Sequence, residues 1–198
     1  MSTLTIAVKD GRVALAAESL TTFDEMRLPP ENDAAPEKVF AVETVGGTAY
    51  VGVVGYAAHH LVLRDALGRL DGLDLGSRKA VFDTFQDLHP VLKEDYYLLP
   101  DSGQEGDPYE SSQMSVLIAS PGGAFGVFDM REVHAYRRFW AMGSGGAYAL
   151  GAMWHAYGSA SDAASVARLG VEAGCAFDRS SAAPVEVWEA ELRGEAPA

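Results

Sequence analysis

The sequence predicts an α+β fold in which two antiparallel sheets lie face to face between two layers of helices, a four-layer αββα sandwich. Three observations carry this expectation. The chain opens on a tight-hairpin signal, short apolar or alternating runs recur in pairs, and helical periodicities also come in pairs. The resulting order is strands, two helices, strands, two helices, strand, and layered packing turns that order into sheets enclosed by helices.

The hairpin is the first element. Runs of β-branched and small apolar residues, Thr3–Val8 and Val13–Ala17, flank Asp10-Gly11. Such a pair signals a type I′ turn, whose two central residues need positive φ. With Asp10 and Gly11 at its centre, Ser2 faces Ser19 and Thr3 faces Glu18. The first residues are thereby pinned in a sheet beside a carboxylate, where chain ends ordinarily fray. A fixed terminus suits one chemistry. A free α-amine titrates near pH 8, so at neutral pH part of it is an unprotonated base. On a residue that also carries a hydroxyl, it can take the hydroxyl proton during attack on a carbonyl. Ser2 would supply both groups once Met1 is removed, and a small second residue permits that removal. Serine after an initiator methionine is common, so the hairpin alone assigns Ser2 no role.

The remaining elements follow in order. Leu20–Pro36, with Pro29-Pro30 and Pro36, reads as an exposed loop. Lys38–Glu43 and Ala49–Val54 read as a second hairpin around Val45-Gly46-Gly47-Thr48, with Gly52 and Gly55 interrupting its second strand. Leu63, Ala66, Leu67 and Leu70 predict a helix over Ala57–Leu70, and Val81, Phe85 and Leu88 a second that Pro90 kinks or ends. Tyr96–Ser112, rich in Gly, Pro and acidic residues, reads as an insertion exposed over residues 97–112. Met114–Ser120, Ala124–Phe128, Glu132–Tyr136 and Phe139–Met142 are predicted strands. Ala147, Leu150, Trp154 and Tyr157 then share a helical stripe after Gly143-Ser-Gly-Gly146. Ser161-Asp162 opens a last helix with Val166, Leu169, Gly170, Ala173 and Phe177 on one face, and Val185–Glu191 is the final strand. No repeat or second domain interrupts residues 1–198.

Composition narrows the function classes. Hydrophobic residues make up 48% of 198 and charged residues 22%, an ordinary globular balance. No apolar run is long enough to cross a bilayer, and no basic-then-apolar leader opens the chain, which argues against a membrane role. The single cysteine, Cys175, allows no internal disulfide and points to a reducing compartment, the cytoplasm; it lies in a helical stripe and reads as a small core residue. A net charge of −13 keeps the protein soluble and argues against nucleic acid as a partner.

Several motifs fall away. Gly143-Ser-Gly-Gly146 lacks the lysine of a phosphate-binding loop and the last glycine of a dinucleotide fingerprint, and Met142 breaks the nucleophile-elbow pattern around Ser144. His59, His60, His89, His134 and His155 show no metal-ligand spacing.

Taken together, the quoted pieces resemble the proteasome β-type N-terminal nucleophile hydrolases, most of all their bacterial HslV-like branch. They are Ser2-Thr3 with the Lys9-Asp10-Gly11 turn, Glu18, Glu37-Lys38-Val39, Val51-Gly52-Val53-Val54-Gly55, Ala141–Leu150 and Asp178-Arg-Ser-Ser181. They occur in the family order across nearly the whole chain. Tyr96–Ser112 matches least and is an insertion relative to that branch.

The resemblance implies the N-terminal nucleophile hydrolase fold and hydrolysis of peptide bonds inside a chamber of stacked homo-oligomeric rings. Unfolded protein would be the substrate and an ATPase unfoldase a possible partner. No cofactor is implied, although monovalent cations beside Asp178 are possible in that family. Ser2 matches the nucleophile, which is usually threonine there. Lys38 matches the lysine whose charge lowers the proton affinity of nucleophile and amine. Glu18 matches an acidic partner that is usually the shorter aspartate. Gly52 matches the glycine whose N–H meets the oxyanion, the alternative being a bulge glycine. Ser144 matches a serine near the α-amine and could instead cap the following helix. Asp178 and Ser181 match an Asp-x-x-Ser pair beside the terminus. A register slip would put Thr3 in place of Ser2. A catalytically idle shell and a hydrolase of small amides remain alternatives. Subunit contacts are expected through large apolar helix residues such as Phe82, Phe85, Trp154 and Tyr157.

Overall fold

Alternation along the first hairpin sets the whole architecture. The computed structural model describes residues 2–100 and 108–194. In chain order the elements are β1 (Leu4–Lys9), β2 (Arg12–Glu18), β3 (Thr21–Phe23), β4 (Met26–Leu28), β5 (Val39–Thr44), β6 (Gly47–Val54), α1 (Ala58–Gly68), α2 (Arg78–Glu94), β7 (Ser115–Ser120), β8 (Gly123–Val127), β9 (Val133–Tyr136), β10 (Phe139–Met142), α3 (Gly146–Ala156), α4 (Ala163–Phe177) and β11 (Val185–Glu191).

Strands β1 and β2 pair antiparallel with Leu4 opposite Ala17 and Lys9 opposite Arg12, the predicted register. Asp10 and Gly11 both have positive φ, 50° and 75°, as a type I′ turn demands. Around this hairpin the first sheet is ordered β10-β1-β2-β11, and the second is ordered β5-β6-β7-β8-β9. Successive strand residues point to opposite faces. Leu4, Ile6, Val8, Val13, Leu15 and Ala17 therefore meet Val39, Leu117 and Ala119 of the second sheet in a dry inter-sheet core. Ala7, Ala14 and Ala16 point the other way, onto α3 and α4. The second sheet buries Phe40, Val51, Val53, Val116 and Ile118 against α1 and α2. The expected αββα sandwich is thus observed.

Local chemistry explains the helix starts. Ser77 Oγ accepts the Ala80 N–H to cap α2, and Asp162 Oδ1 accepts the Ser165 N–H to cap α4.

Five expectations need correction. Leu20–Pro36 is not wholly loop, because β3 and β4 form a small hairpin and Pro30–Asn32 a 3-10 turn. The second hairpin turns on Val45-Gly46 alone, with Thr44 opposite Gly47. Pro90 does not end its helix; α2 runs through it to Glu94, carried by a stripe of Val81, Phe85, Leu88, His89 and Leu92. The buried face of α3 is Gly146, Ala149 and Met153, and that of α4 is Ala163, Val166, Ala167, Gly170, Val171 and Gly174. Trp154, Leu169 and Phe177 are exposed, because these helices lie close on the sheet through glycine, alanine and valine together with Met153, while Phe85 is buried in its own core and offers no surface. Finally, the Tyr96–Ser112 segment is anchored where it is described. Tyr97, Leu99 and Tyr109 are exposed, but Tyr96 and Leu98 pack on the α1/α2 core and Ser111 and Ser112 are buried. Residues 101–107 of that expectation lie outside the described residues.

Candidate active site

The short connection from β2 to β3, the start of β5 and the start of β1 meet at one point. There Lys38 extends its ammonium toward three acceptors. It donates to Ser2 Oγ at 3.1 Å, to Leu20 O at 2.6 Å and to Glu18 Oε1. An ammonium has three protons and accepts nothing, so this set fits the charged form and uses every donor. Burial holds the Lys38 pKa below its ordinary value, and Glu18 opposes that shift without cancelling it.

Glu18 has no exposed side-chain surface. Its Oε1 also accepts the Thr3 N–H at 3.4 Å, and Oε2 accepts the N–H groups of Leu20 at 2.8 Å and Ala182 at 3.3 Å. Those donors satisfy a carboxylate, which is acceptor-only when ionised. The extra methylene relative to aspartate is therefore accommodated, and the pairing with Lys38 is made.

A second polar chain approaches from the α3/α4 side. Asp178 closes the C-terminus of α4, and its Oδ2 accepts from Ser144 Oγ at 2.6 Å and from Ser181 Oγ at 2.7 Å. Its Oδ1 takes the Ser180 N–H at 3.3 Å. Burial alone would raise the Asp178 pKa, but the hydrogen bonds from Ser144 and Ser181 outweigh it and hold the carboxyl below the ordinary range. Because Ser181 gives its proton to Asp178, Thr3 Oγ1, 2.7 Å away, is the donor to Ser181. Ser144 likewise spends its proton on Asp178, leaving its lone pairs free beside the Ser2 carbonyl, 3.5 Å off. Gly143 makes that approach possible: its φ is 95°, and a side chain there would overlap the Ser2 carbonyl oxygen.

Of the residues singled out in the sequence, Ser2, Glu18, Lys38, Ser144, Asp178 and Ser181 converge here. Gly52 does not. It sits mid-strand between Val39 of β5 and Leu117 of β7, and a Cβ on it would strike Leu4, Val39 and Leu15 in the inter-sheet core. Val53 donates its N–H to Lys38 O, so strand alternation turns the Gly52 amide toward β7 and away from Ser2. Its glycine serves close sheet packing. Gly55 lines the cleft with Ser2 instead. It follows on the Val53 side, past Lys38 where β5 begins, and its φ of 148° is one that side chains rarely adopt. The signal for it was present, a glycine closing the apolar run Val51–Val54.

The cleft above Ser2 holds about 1150 Å³ and is walled by the β3–β4 hairpin, by Val53 and Gly55 to Ala58, and by Gln113 and Arg179. Cys175 is half-buried nearby; burial first, and Glu18 next, push its thiol up to about 11, so it stays protonated. Among the described residues no group of three or more His, Cys, Asp or Glu side chains is arranged to hold a metal ion. Among them, too, no helix is long and apolar enough to cross a membrane.

No protein-family model matches the sequence, and no curated protein sequence matches it either. Solved structures do. Eukaryotic HslV from Trypanosoma brucei is 16% identical at a TM-score of 0.71, covering 96% of this chain and 99% of its own. Anbu, an ancestral β-subunit from Yersinia bercovieri, is 14% identical at a TM-score of 0.68, covering 94% of this chain and 80% of its own. At that identity both speak for the fold. Thiobacillus denitrificans BPH is 42% identical at a TM-score of 0.88, covering 98% of this chain and all of its own; the same protein has also been solved with epoxomicin. On that identity and coverage the chain belongs to the proteasome-type N-terminal nucleophile hydrolase family, alongside this bacterial proteasome homologue.

Proposed function

We propose that this chain is a peptidase subunit whose nucleophile is Ser2, exposed as the N-terminal residue by removal of Met1, working inside a chamber of stacked homo-oligomeric rings. The observation that carries the reading is the Lys38 ammonium 3.1 Å from Ser2 Oγ beside an open cleft of about 1150 Å³. Because Lys38 donates to it, Ser2 Oγ accepts there and keeps its own proton free to leave elsewhere. Thr3 is the weaker candidate, since it is fully buried and its hydroxyl is committed to Ser181.

In the proposed cycle Ser2 Oγ attacks a peptide carbonyl, and the Ser2 α-amine takes its proton, directly or through a water. Lys38 stabilises the developing negative charge on Oγ. The Gly55 N–H donates to the carbonyl oxygen as it becomes an oxyanion, a contact whose loss typically costs about 3–4 kcal/mol in such sites. The protonated Ser2 α-amine gives that proton to the leaving nitrogen, the C–N bond breaks, and an ester on Ser2 remains. Water, deprotonated by the same amine, then cleaves the ester and restores the hydroxyl. The free lone pairs of Ser144 and the Asp178 carboxylate suit the positive amine.

Two observations support the wider reading. A relative 41% identical has been solved in complex with epoxomicin, so epoxomicin is expected to bind this cleft. Exposed Tyr148 (48%), Trp154 (70%), Leu169 (42%) and Phe177 (71%) on α3 and α4 form an apolar surface of the kind that marks subunit interfaces. An unfoldase feeding the chamber belongs to the same proposal.

The test is a panel of fluorogenic peptides with the native-host protein, whose intact mass reports whether Met1 is gone. Ser2→Ala should abolish turnover, by about 10⁴-fold or more, with an unchanged melting temperature, and epoxomicin should inhibit the wild type. Full activity with Met1 retained would end the mechanism, and a stable monomer on light scattering would end the chamber.

A further inference from the structure

We infer that Arg131, on the turn between β8 and β9, is a positioning residue for the oxyanion site, acting through His89, Ser112 and Gln113 on Gly55. This rests on the reading of Gly55 as the oxyanion donor.

The Arg131 guanidinium is buried, only 7% of the residue being exposed. Its Nε donates to Gln86 Oε1 at 2.9 Å, and Nη1 donates to Glu110 O at 2.7 Å and Ser112 Oγ at 3.3 Å. Nη1 also lies 3.3 Å from His89 Nδ1. A guanidinium facing Nδ1 leaves no place for a proton on that nitrogen, so the imidazole proton sits on Nε2. That proton points to Glu110 Oε2 at 3.1 Å, while the Ser112 hydroxyl, 3.1 Å from Nδ1, donates to it. Lys93 closes the outer side on Glu110 at 2.7 and 2.8 Å. Main chain and side chain of residues 110–112 are thus held from α2 and from the β8–β9 turn together. Ser112 N–H donates to Asp129 O at 2.6 Å, which ties the same segment to that turn a second time.

The next residue carries the constraint into the cleft. Gln113 has φ of 55°, its N–H is taken by Ser111 Oγ at 2.9 Å, and its side-chain amide bonds Leu99 O. Arg131 itself has φ of 63°. Non-glycine residues hold such left-handed conformations where surrounding contacts over-determine them. The Gln113 carbonyl oxygen lies against Gly55, close enough that a Cβ there would come within 3.0 Å of it. Both Gln113 and Gly55 line the cleft, so the cluster ends on the peptide whose N–H must meet the oxyanion. The fastened segment runs directly into Gln113, whose carbonyl oxygen borders Gly55.

The experiment compares wild type with Arg131→Met, Arg131→Lys and the smaller Ser112→Ala. Steady-state kinetics on one fluorogenic peptide are read beside hydrogen–deuterium exchange over residues 53–58. Misplacing a catalytic group can cost about 10²-fold, so Arg131→Met should lower kcat by about that factor with KM held within about twofold. Exchange over residues 53–58 should quicken. Arg131→Lys, which keeps the charge and loses the fork, should fall between. Should Arg131→Met fail to fold, Ser112→Ala carries the same prediction at about tenfold. A folded variant with unchanged exchange overturns the inference, and so does faster exchange with unchanged kcat. If wild type cleaves no peptide at all, the peptidase reading fails, while the exchange data still decide whether Arg131 governs Gly55.

Discussion

The two helix layers bury different kinds of side chain. α1 and α2 cover the second sheet with Leu63, Leu67, Val81, Phe85, Leu88 and Leu92, a core of large residues. α3 and α4 cover the first sheet with Ala149, Met153, Ala163, Val166, Ala167 and Val171 against Ala7, Ala14 and Ala16. Large residues bury more apolar area, roughly 25 cal/mol per Å². Small ones let helix backbone come close. That closeness is what sets Gly145 and Gly174 against Thr3, and Asp178 and Ser181 beside the terminus. The first layer buries the larger side chains, and the second gives up burial to bring Thr3 and the Asp178 segment together.

The largest expected effect on stability therefore lies in the first of these layers. Leu67 on α1 is 1% exposed and far along the helix from the cleft. Leu67→Ala should cost about 3 kcal/mol, the usual lost transfer energy plus a cavity, with kcat per folded chain unchanged. Urea unfolding and peptide turnover measured on one preparation check both halves. Equal losses of stability and kcat would erase the division between the layers.

The same contrast explains what the sequence made legible. Pairing in the first hairpin followed from Asp10-Gly11, because a two-residue turn fixes register. That Ser2, Glu18, Lys38, Ser144, Asp178 and Ser181 come together was legible from family order, because all carry chemistry that their types announce. The helix faces of α3 and α4 did not follow. Periodicity favours large residues as the buried stripe, and here Trp154, Leu169 and Phe177 point outward while a face of mostly glycine, alanine and valine, with Met153, meets the sheet. Gly52 misled for a related reason: a strand glycine signals close approach without saying of what, and the approach is Leu4 from the opposite sheet. Arg131 left no signal, since its partners Gln86, His89, Glu110 and Ser112 are brought together only by the fold.

The second prediction reverses the first. Gly174 on α4 packs on Thr3 so tightly that a Cβ would lie 2.8 Å from Thr3 Cβ, a stiff branched side chain that cannot swing aside. Gly174→Ala gains about 1 kcal/mol of helix propensity and meets overpacking of about 1–3 kcal/mol, a small net loss. Its effect on turnover should be larger, about tenfold, because Thr3 follows Ser2 and bonds Ser181. Thermal melting against kcat decides it. A variant that loses stability and keeps kcat would mean that close packing here serves the fold alone.

The third and smallest effect separates the layers by pH. Burial holds His59, His60 and His89, all on α1 and α2, below the ordinary histidine pKa. For His60 the Arg64 charge adds to the shift and Glu37 opposes it. For His89 the hydrogen bond it donates to Glu110 opposes burial, while Arg131 and Lys93 add to it. A base whose folded pKa is depressed binds its proton more readily in the unfolded chain. Below about pH 6.5 the unfolded state therefore holds more protons, and stability falls as pH drops. Above about pH 6.5 the contribution is complete. In the proposed mechanism the base is instead a free α-amine, which changes charge near pH 8, so kcat/KM should climb through that range. Melting temperature and kcat/KM measured across the same buffers should give two limbs well apart, with His89→Gln flattening the acid limb of stability only in part, because His59 and His60 still titrate. A melting temperature that stays level from neutral pH down to about pH 5, where carboxylates begin to protonate, would show that these histidines charge in place without strain, and that α1 and α2 form a core indifferent to their protonation.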